Sequence, residues 1–173
     1  IKERFLIGKE GYDYYQDLRD RGERIVVTSG ELDKANRMVA ALRNHRHTSQ
    51  IVNRTTIAGK WTIHNQLILK GTYRGLEVKC MCDLVQVDEV NKVVYLYDLK
   101  TSWSSDQFDY SYLKYRYYIQ NSLYTSMLRE YFKGYKVEPM SFLVVDKLAY
   151  NDPVVYTTTE QHIIEAKAGF YNS

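Results

Sequence analysis

The stretch VVYLYDLKTS, residues 93–102, runs apolar for five residues and then sets an acid and a base two positions apart, at Asp98 and Lys100. Side chains alternate along a strand, so both lie on one face with the ammonium about 7 Å along from the carboxylate. An apolar half that anchors in a core, followed by a charged end, reads as a central strand finishing at a functional edge. The plainer alternative is a solvated strand end carrying a surface ion pair. The flanking sequence bears on the choice.

Residues 62–70 and 76–87 also have strand patterning, separated from each other and from 93–101 by the turn-rich GTYRG at 71–75 and DEVNK at 88–92. Three antiparallel strands are expected. A second turn centred on Val90 places Asp83 opposite Tyr97 or Asp98. Directly opposed Cβ atoms lie about 4.5–5.5 Å apart, and like charges there are destabilising unless something cationic sits between them. A divalent cation would satisfy both carboxylates. Hard oxygen donors suit magnesium, which lowers the pKa of an attacking water, while a lysine beside that water can orient it and offset developing charge. Asp83, Asp98 and Lys100 therefore point to phosphodiester hydrolysis.

From Glu31 the apolar residues Leu32, Ala35, Met38, Val39 and Leu42 recur at helical steps, with Thr28 or Ser29 available as a cap and an end near His45. His45 and His47 at that basic end suit the helix dipole better than a metal role. Residues 111–133 contain no glycine or proline and read as one long helix; 141–148 is a buried strand, 154–159 a shorter one, and 160–171 a final helix. Residues 1–27 read as loop and short helix. The resulting α/β order is αβββαβ, a core in which strands first pair as hairpins and a helix then crosses to another strand.

At 173 residues the chain is expected to form a single domain. It starts at Ile1 without a basic and apolar leader and is expected to be trimmed at its N-terminus; no apolar run approaches the roughly 18 residues of a membrane span. A net charge of +3 permits a polyanionic partner without demanding one. The two cysteines, Cys80 and Cys82, are too few for a tetrahedral zinc or a four-cysteine iron–sulfur site and read as reduced structural thiols of a cytosolic protein. Tyrosine is in excess, at 17 residues, and clusters mid-chain. Tyr110, Tyr117, Tyr124 and Tyr131 recur every seven residues, either as an aromatic core stripe or, with Lys114 and Arg116, as a surface that meets phosphates and stacks bases.

The ordered set CDLV with Asp83, YDLKTS with Asp98 and Lys100, and YYIQNSLY with Gln120 and Tyr124 resembles the PD-(D/E)XK nuclease superfamily, in its RecB-like and exonuclease VIII-like branch of phage or prophage type. The resemblance covers about residues 60–131. It implies a restriction-endonuclease-like αβββαβ core with a central mixed sheet flanked by helices. It further implies Mg2+, with Mn2+ as substitute, held by Asp83, Asp98 and the backbone carbonyl of Leu99; Lys100 would position the nucleophile, and Gln120 and Tyr124 would contact the active-site edge or the DNA backbone. Phe108 fits the usual spacing of the family, and Lys114, Arg116 and Tyr117 are the expected nucleic-acid contacts.

Relatives supply one more upstream ligand. With the first turn centred near Tyr73, Ile63 or His64 falls across from Asp83 and Gln66 lies two residues on, so His64 and Gln66 are the candidates, ahead of Glu77. A glutamate is expected near position 66, and the glutamine departs from that pattern. The implied activity is a Mg2+-dependent DNA nuclease, a 5′-to-3′ exonuclease of phage or bacterial recombination and repair acting in the cytoplasm. Its partners would be DNA, a single-strand annealing protein and further copies of itself. The alternative is a non-catalytic DNA-binding or virion-associated module that retains the nuclease fold.

Overall fold

Residues 61–102 form an antiparallel meander of β1 (Trp61–Tyr73), β2 (Leu76–Asp88) and β3 (Val93–Ser102). The computed structural model describes residues 27–148, 151–161 and 164; the expected structure before residue 27 and most of the expected helix at 160–171 lie outside them. The chain divides into two compact units, Ile1–Arg37 and Met38–Ser173. In the first, Thr28 opens helix α1 (Ser29–Asn44) with a capping box: Glu31 N–H donates to the Thr28 hydroxyl at 3.2 Å, and Thr28 N–H donates to the Glu31 carboxylate at 2.8 Å. All that follows concerns the second unit.

After α2 (Ser49–Val52) and the meander come α3 (Phe108–Lys114), α4 (Tyr117–Tyr131), and strands β4 (Lys136–Val137), β5 (Ser141–Asp146) and β6 (Pro153–Thr157). The six-stranded sheet runs β1-β2-β3-β5-β6, with β4 also on β3. β3 pairs in parallel with β4 and β5 and every other pairing is antiparallel, so the sheet is mixed, and the expected αβββαβ order is present. Alternation along β5 separates two cores. Phe142 and Val144 join Val94, Leu96, Phe108, Tyr112 and Leu128 on the α3–α4 side, whereas Leu143 and Val145 meet Leu42 with Met38, Ile51 and Val52 packed against them. Cys80 and Cys82 are free and buried in the first core, and burial pushes both thiols up, which keeps them protonated and unreactive.

The β2–β3 hairpin has the expected register: Asp88 accepts the N–H groups of Val90 and Asn91 at 3.0 and 2.9 Å, closing the turn, and Leu84 stands opposite Tyr97. The β1–β2 register differs from expectation. Its turn is centred on Arg74 and Gly75, both with positive φ (51° and 80°), the backbone twist that two-residue hairpin loops favour. His64 therefore faces Val85, and Gln66, between the pairs Asn65–Leu84 and Leu67–Cys82, faces Asp83. Gln66 itself has φ 53°. There the alternation resets: Cys80 and Cys82 point into the same core as Val85 and Val87, which an unbroken strand would send to opposite faces.

Beyond this kink the outer face of the hairpin pairs Ile68 with Met81 and Lys70 with Lys79, all four exposed. Directly opposed like charges destabilise. Lys79→Glu is expected to raise unfolding stability by about 0.2–1 kcal/mol in urea titration; an unchanged midpoint would show that the two ammonium groups do not sense each other.

The long helix expected over 111–133 is two helices. They meet at Tyr115 and Arg116, the latter left-handed at φ 55° and ψ 39°. Aromatic packing explains the break. Tyr112 and Tyr117 lie five apart, about 140° around a continuous helix; with the break both reach Phe142, at 5.8 and 5.7 Å between ring centroids. The heptad tyrosines accordingly do not share one stripe: Tyr110 belongs to α3, Tyr110 and Tyr131 are exposed, and Tyr117 and Tyr124 are half-buried.

Candidate active site

β2 and β3 pair only as far as Leu84 and Tyr97, after which β2 continues along β1 while β3 continues along β5 from Tyr97–Ser141 to Ser102–Asp146. The sheet forks where Asp83 and Asp98 would form the next pair. Asp83 takes over from the missing ladder, its Oδ2 accepting the Leu99 N–H at 2.9 Å.

Asp98 continues the buried row of Val94 and Leu96 and is itself 3% exposed. Its Oδ1 accepts a hydrogen bond from Gln120 Nε2 at 2.6 Å. Its Oδ2 is buried and forms an ion pair with the Lys100 ammonium. Burial pushes the Asp98 carboxyl above the usual carboxylate range, Lys100 pulls it back, and nearby Asp83 raises it further. The Lys100 ammonium lies 4.8 Å from the Tyr117 ring centroid and 6.0 Å from that of Phe142, held over aromatic faces. Phe108 stacks on Tyr117 at 5.7 Å and 17°, tying this floor to the core.

Gln120 reaches Asp98 because its neighbour Asn121 fixes the depth of α4. Asn121 is fully buried; its Oδ1 accepts from Met140 N–H at 3.0 Å and the Thr125 hydroxyl at 3.1 Å, and its Nδ2 donates to the Thr158 hydroxyl at 2.7 Å. Three elements, α4, the start of β5 and the end of β6, are thereby joined at one side chain. The sequence reading missed Asn121. A polar residue in the buried stripe of a helix was the available signal, since such a group needs partners.

The fork thus brings together Asp83, Asp98, Leu99, Lys100, Tyr117 and Gln120. Tyr124 packs against the core beside them, its hydroxyl pushed up by burial and pulled back by the Met81 backbone. Lys114 and Arg116 sit at the exposed α3–α4 corner. Gln66 is exposed opposite Asp83; the His64 ring lies 6.0 Å from that of Phe132; Glu77 faces Thr72 near the hairpin tip. Two carboxylates side by side at an open fork, one of them buried, are a hard-oxygen donor set that fits Mg2+ or Mn2+. Among the described residues no group of three or more His, Cys, Asp or Glu is placed to hold a metal, so further ligands would be backbone carbonyls, amides or water.

A family model described as a PDDEXK-like domain of unknown function (DUF3799) matches residues 2–172. Among solved structures, a provisionally assigned exonuclease from Eubacterium rectale superposes with a TM-score of 0.56 at 17% identity, covering 93% of this chain. The chain spans only 58% of that protein's length, and the likeness is one of fold. No curated protein matches the chain.

Proposed function

Because the chain belongs to the PDDEXK-like domain family and its sheet forks at two carboxylates and a lysine, we propose that it is a metal-dependent deoxyribonuclease. The observation that carries the reading is the meeting at the fork of two carboxylates, Asp83 and the buried Asp98, the latter anchored by Gln120 and ion-paired with Lys100. Lys100 balances one of the two neighbouring carboxylates, and a bound cation would offset the charge of the other.

Asp83 and Asp98 would hold Mg2+ or Mn2+. Strand geometry supports the Leu99 carbonyl as a further ligand: a residue's N–H and C=O point to the same side, and the Leu99 N–H faces Asp83 across the open fork. When bound, the metal supplies charge neutralisation on a phosphate and acidifies water. The chain's own residues do the rest. Gln120 fixes the orientation of Asp98, Asp83 fixes the β3 backbone at Leu99, and Tyr117 and Phe142 hold the Lys100 ammonium at the edge, where it can orient a water and stabilise phosphate charge.

The finer reading is a 5′-to-3′ exonuclease of phage or bacterial recombination, working in the cytoplasm with a single-strand annealing protein; the exonuclease description of the Eubacterium rectale protein supports cutting from an end and says nothing of polarity. The test is nucleotide release from linear and from circular duplex DNA, end-labelled at 5′ or 3′, with Mg2+, Mn2+ or EDTA. Metal-dependent release from linear DNA, beginning at the 5′ label, is expected. One observation favours a second reading: a glutamine, not an acid, stands opposite Asp83. A non-catalytic module would hold DNA equally well in EDTA and release nothing with either metal. Gln120→Ala is expected to lower activity about 10–100-fold, the usual cost of losing the partner of a metal ligand; full activity would remove Gln120 from the site.

A further inference from the structure

The α3–α4 corner carries more exposed aromatic surface than packing explains. Tyr110 is 66% exposed and Tyr115 59%, while Tyr112 between them is 4% exposed in the core. Leu113 and Ile119 beside them are also exposed, so the corner is an apolar patch rather than a lone ring. Lys114 places its ammonium 5.6 Å from the centroids of both Tyr110 and Tyr115, which orders the two rings about one positive charge. The corner is strained: Arg116, a non-glycine residue, holds left-handed backbone angles there, a conformation that persists where surrounding structure enforces it. It also adjoins the fork directly. The Tyr115 ring lies 5.8 Å from that of Tyr117, and Tyr117 lies 4.8 Å from the Lys100 ammonium.

We propose that this corner is a stacking platform for an unpaired nucleic-acid strand, in which Tyr110 and Tyr115 receive bases and Lys114 a phosphate, so that the site takes single-stranded or frayed ends. The inference rests on the nuclease reading of the fork. Charge complementarity selects the occupant: a cation set between aromatic faces, next to a phosphate-cutting edge, matches a strand that offers bases and phosphates in turn. A paired duplex hides its base faces and would meet only the lysine.

Binding is read by fluorescence anisotropy at one fixed salt concentration, in EDTA so that nothing is cut, with a labelled unstructured oligothymidylate and a blunt hairpin duplex. Salt is held constant because phosphate contacts depend on it steeply. Tyr110→Ala and Tyr115→Ala are each expected to weaken single-strand binding roughly tenfold, with duplex binding changed by less than about twofold. Tyr→Phe at both positions should retain single-strand affinity, and Tyr131→Ala, an exposed ring at the far end of α4, should alter neither substrate. Equal losses on both DNAs, no loss on either, or phenylalanines as damaging as alanines would overturn the platform. A wild-type chain without affinity for the single strand would also overturn it, and would leave the metal-dependent hydrolysis test standing, because cleavage is measured separately.

Discussion

Asp98→Asn is expected to abolish metal-dependent hydrolysis while the protein stays folded. Asparagine keeps the shape of the side chain, and its Oδ1 can still accept the Gln120 hydrogen bond that Asp98 now accepts at 2.6 Å. What disappears is the negative charge at the fork. Loss of a mere partner of a metal ligand costs about 10–100-fold, so loss of the ligand charge should exceed about a hundredfold in rate. Lys100 loses its counter-ion, but its side chain is 20% exposed and retains the Tyr117 face, and burial already disfavours the Asp98 charge, so the melting temperature should move little. Activity retained in Asp98→Asn, measured as nucleotide release with saturating Mg2+, would remove the carboxylate from the chemistry and with it the nuclease reading.

Phe142→Ala should have the largest effect on stability. Phe142 is fully buried and its ring meets those of Phe108, Tyr112, Tyr117 and Tyr156 at centroid distances of 5.5, 5.8, 5.7 and 6.4 Å. Truncation leaves a cavity at the centre of this cluster, and Phe→Ala changes in cores cost about 3–5 kcal/mol. At about 2–4 °C per kcal/mol for a domain of this size, the thermal midpoint should fall by about 6–20 °C. Phe142→Leu fills more of the space and should cost less than the alanine. Because Phe142 also forms part of the floor beneath Lys100, activity should drop even below the melting transition. A change under about 1 kcal/mol would show that the aromatic cluster is not the keystone of the α3–α4 side.

Much of the site was legible because it is local or set by a short turn. The residues 88–92 close a hairpin through Asp88, which fixes how β2 meets β3 and so places Asp83 beside Asp98; two-residue alternation then carries Lys100 to the same face. The upstream register was misread because an Arg-Gly pair adopts the turn that Asn-Gly would have announced, and the centre moved beyond Tyr73. Gln66 was consequently placed two residues from the position it occupies opposite Asp83. The helix break at Tyr115–Arg116 left no glycine or proline to mark it. It arises from the demand of Tyr112 and Tyr117 for one partner, Phe142, some 25–30 residues further along the chain.

By itself the sequence determined the order of elements, the central strand and its D-x-K end, since these follow from side-chain alternation and nearby turns. Tertiary structure alone decided the fork. β2 and β3 separate after Leu84 and Tyr97 as β3 runs on along β5 at its other edge and the alternation resets at Gln66, neither of which is written in the strands themselves. The approach of Gln120 to Asp98 likewise depends on Asn121 tying α4 to Met140 and Thr158, contacts across 19 and 37 residues of chain. Local pattern specifies which side chains carry charge; only packing between distant segments removes their water and sets them within reach of one another.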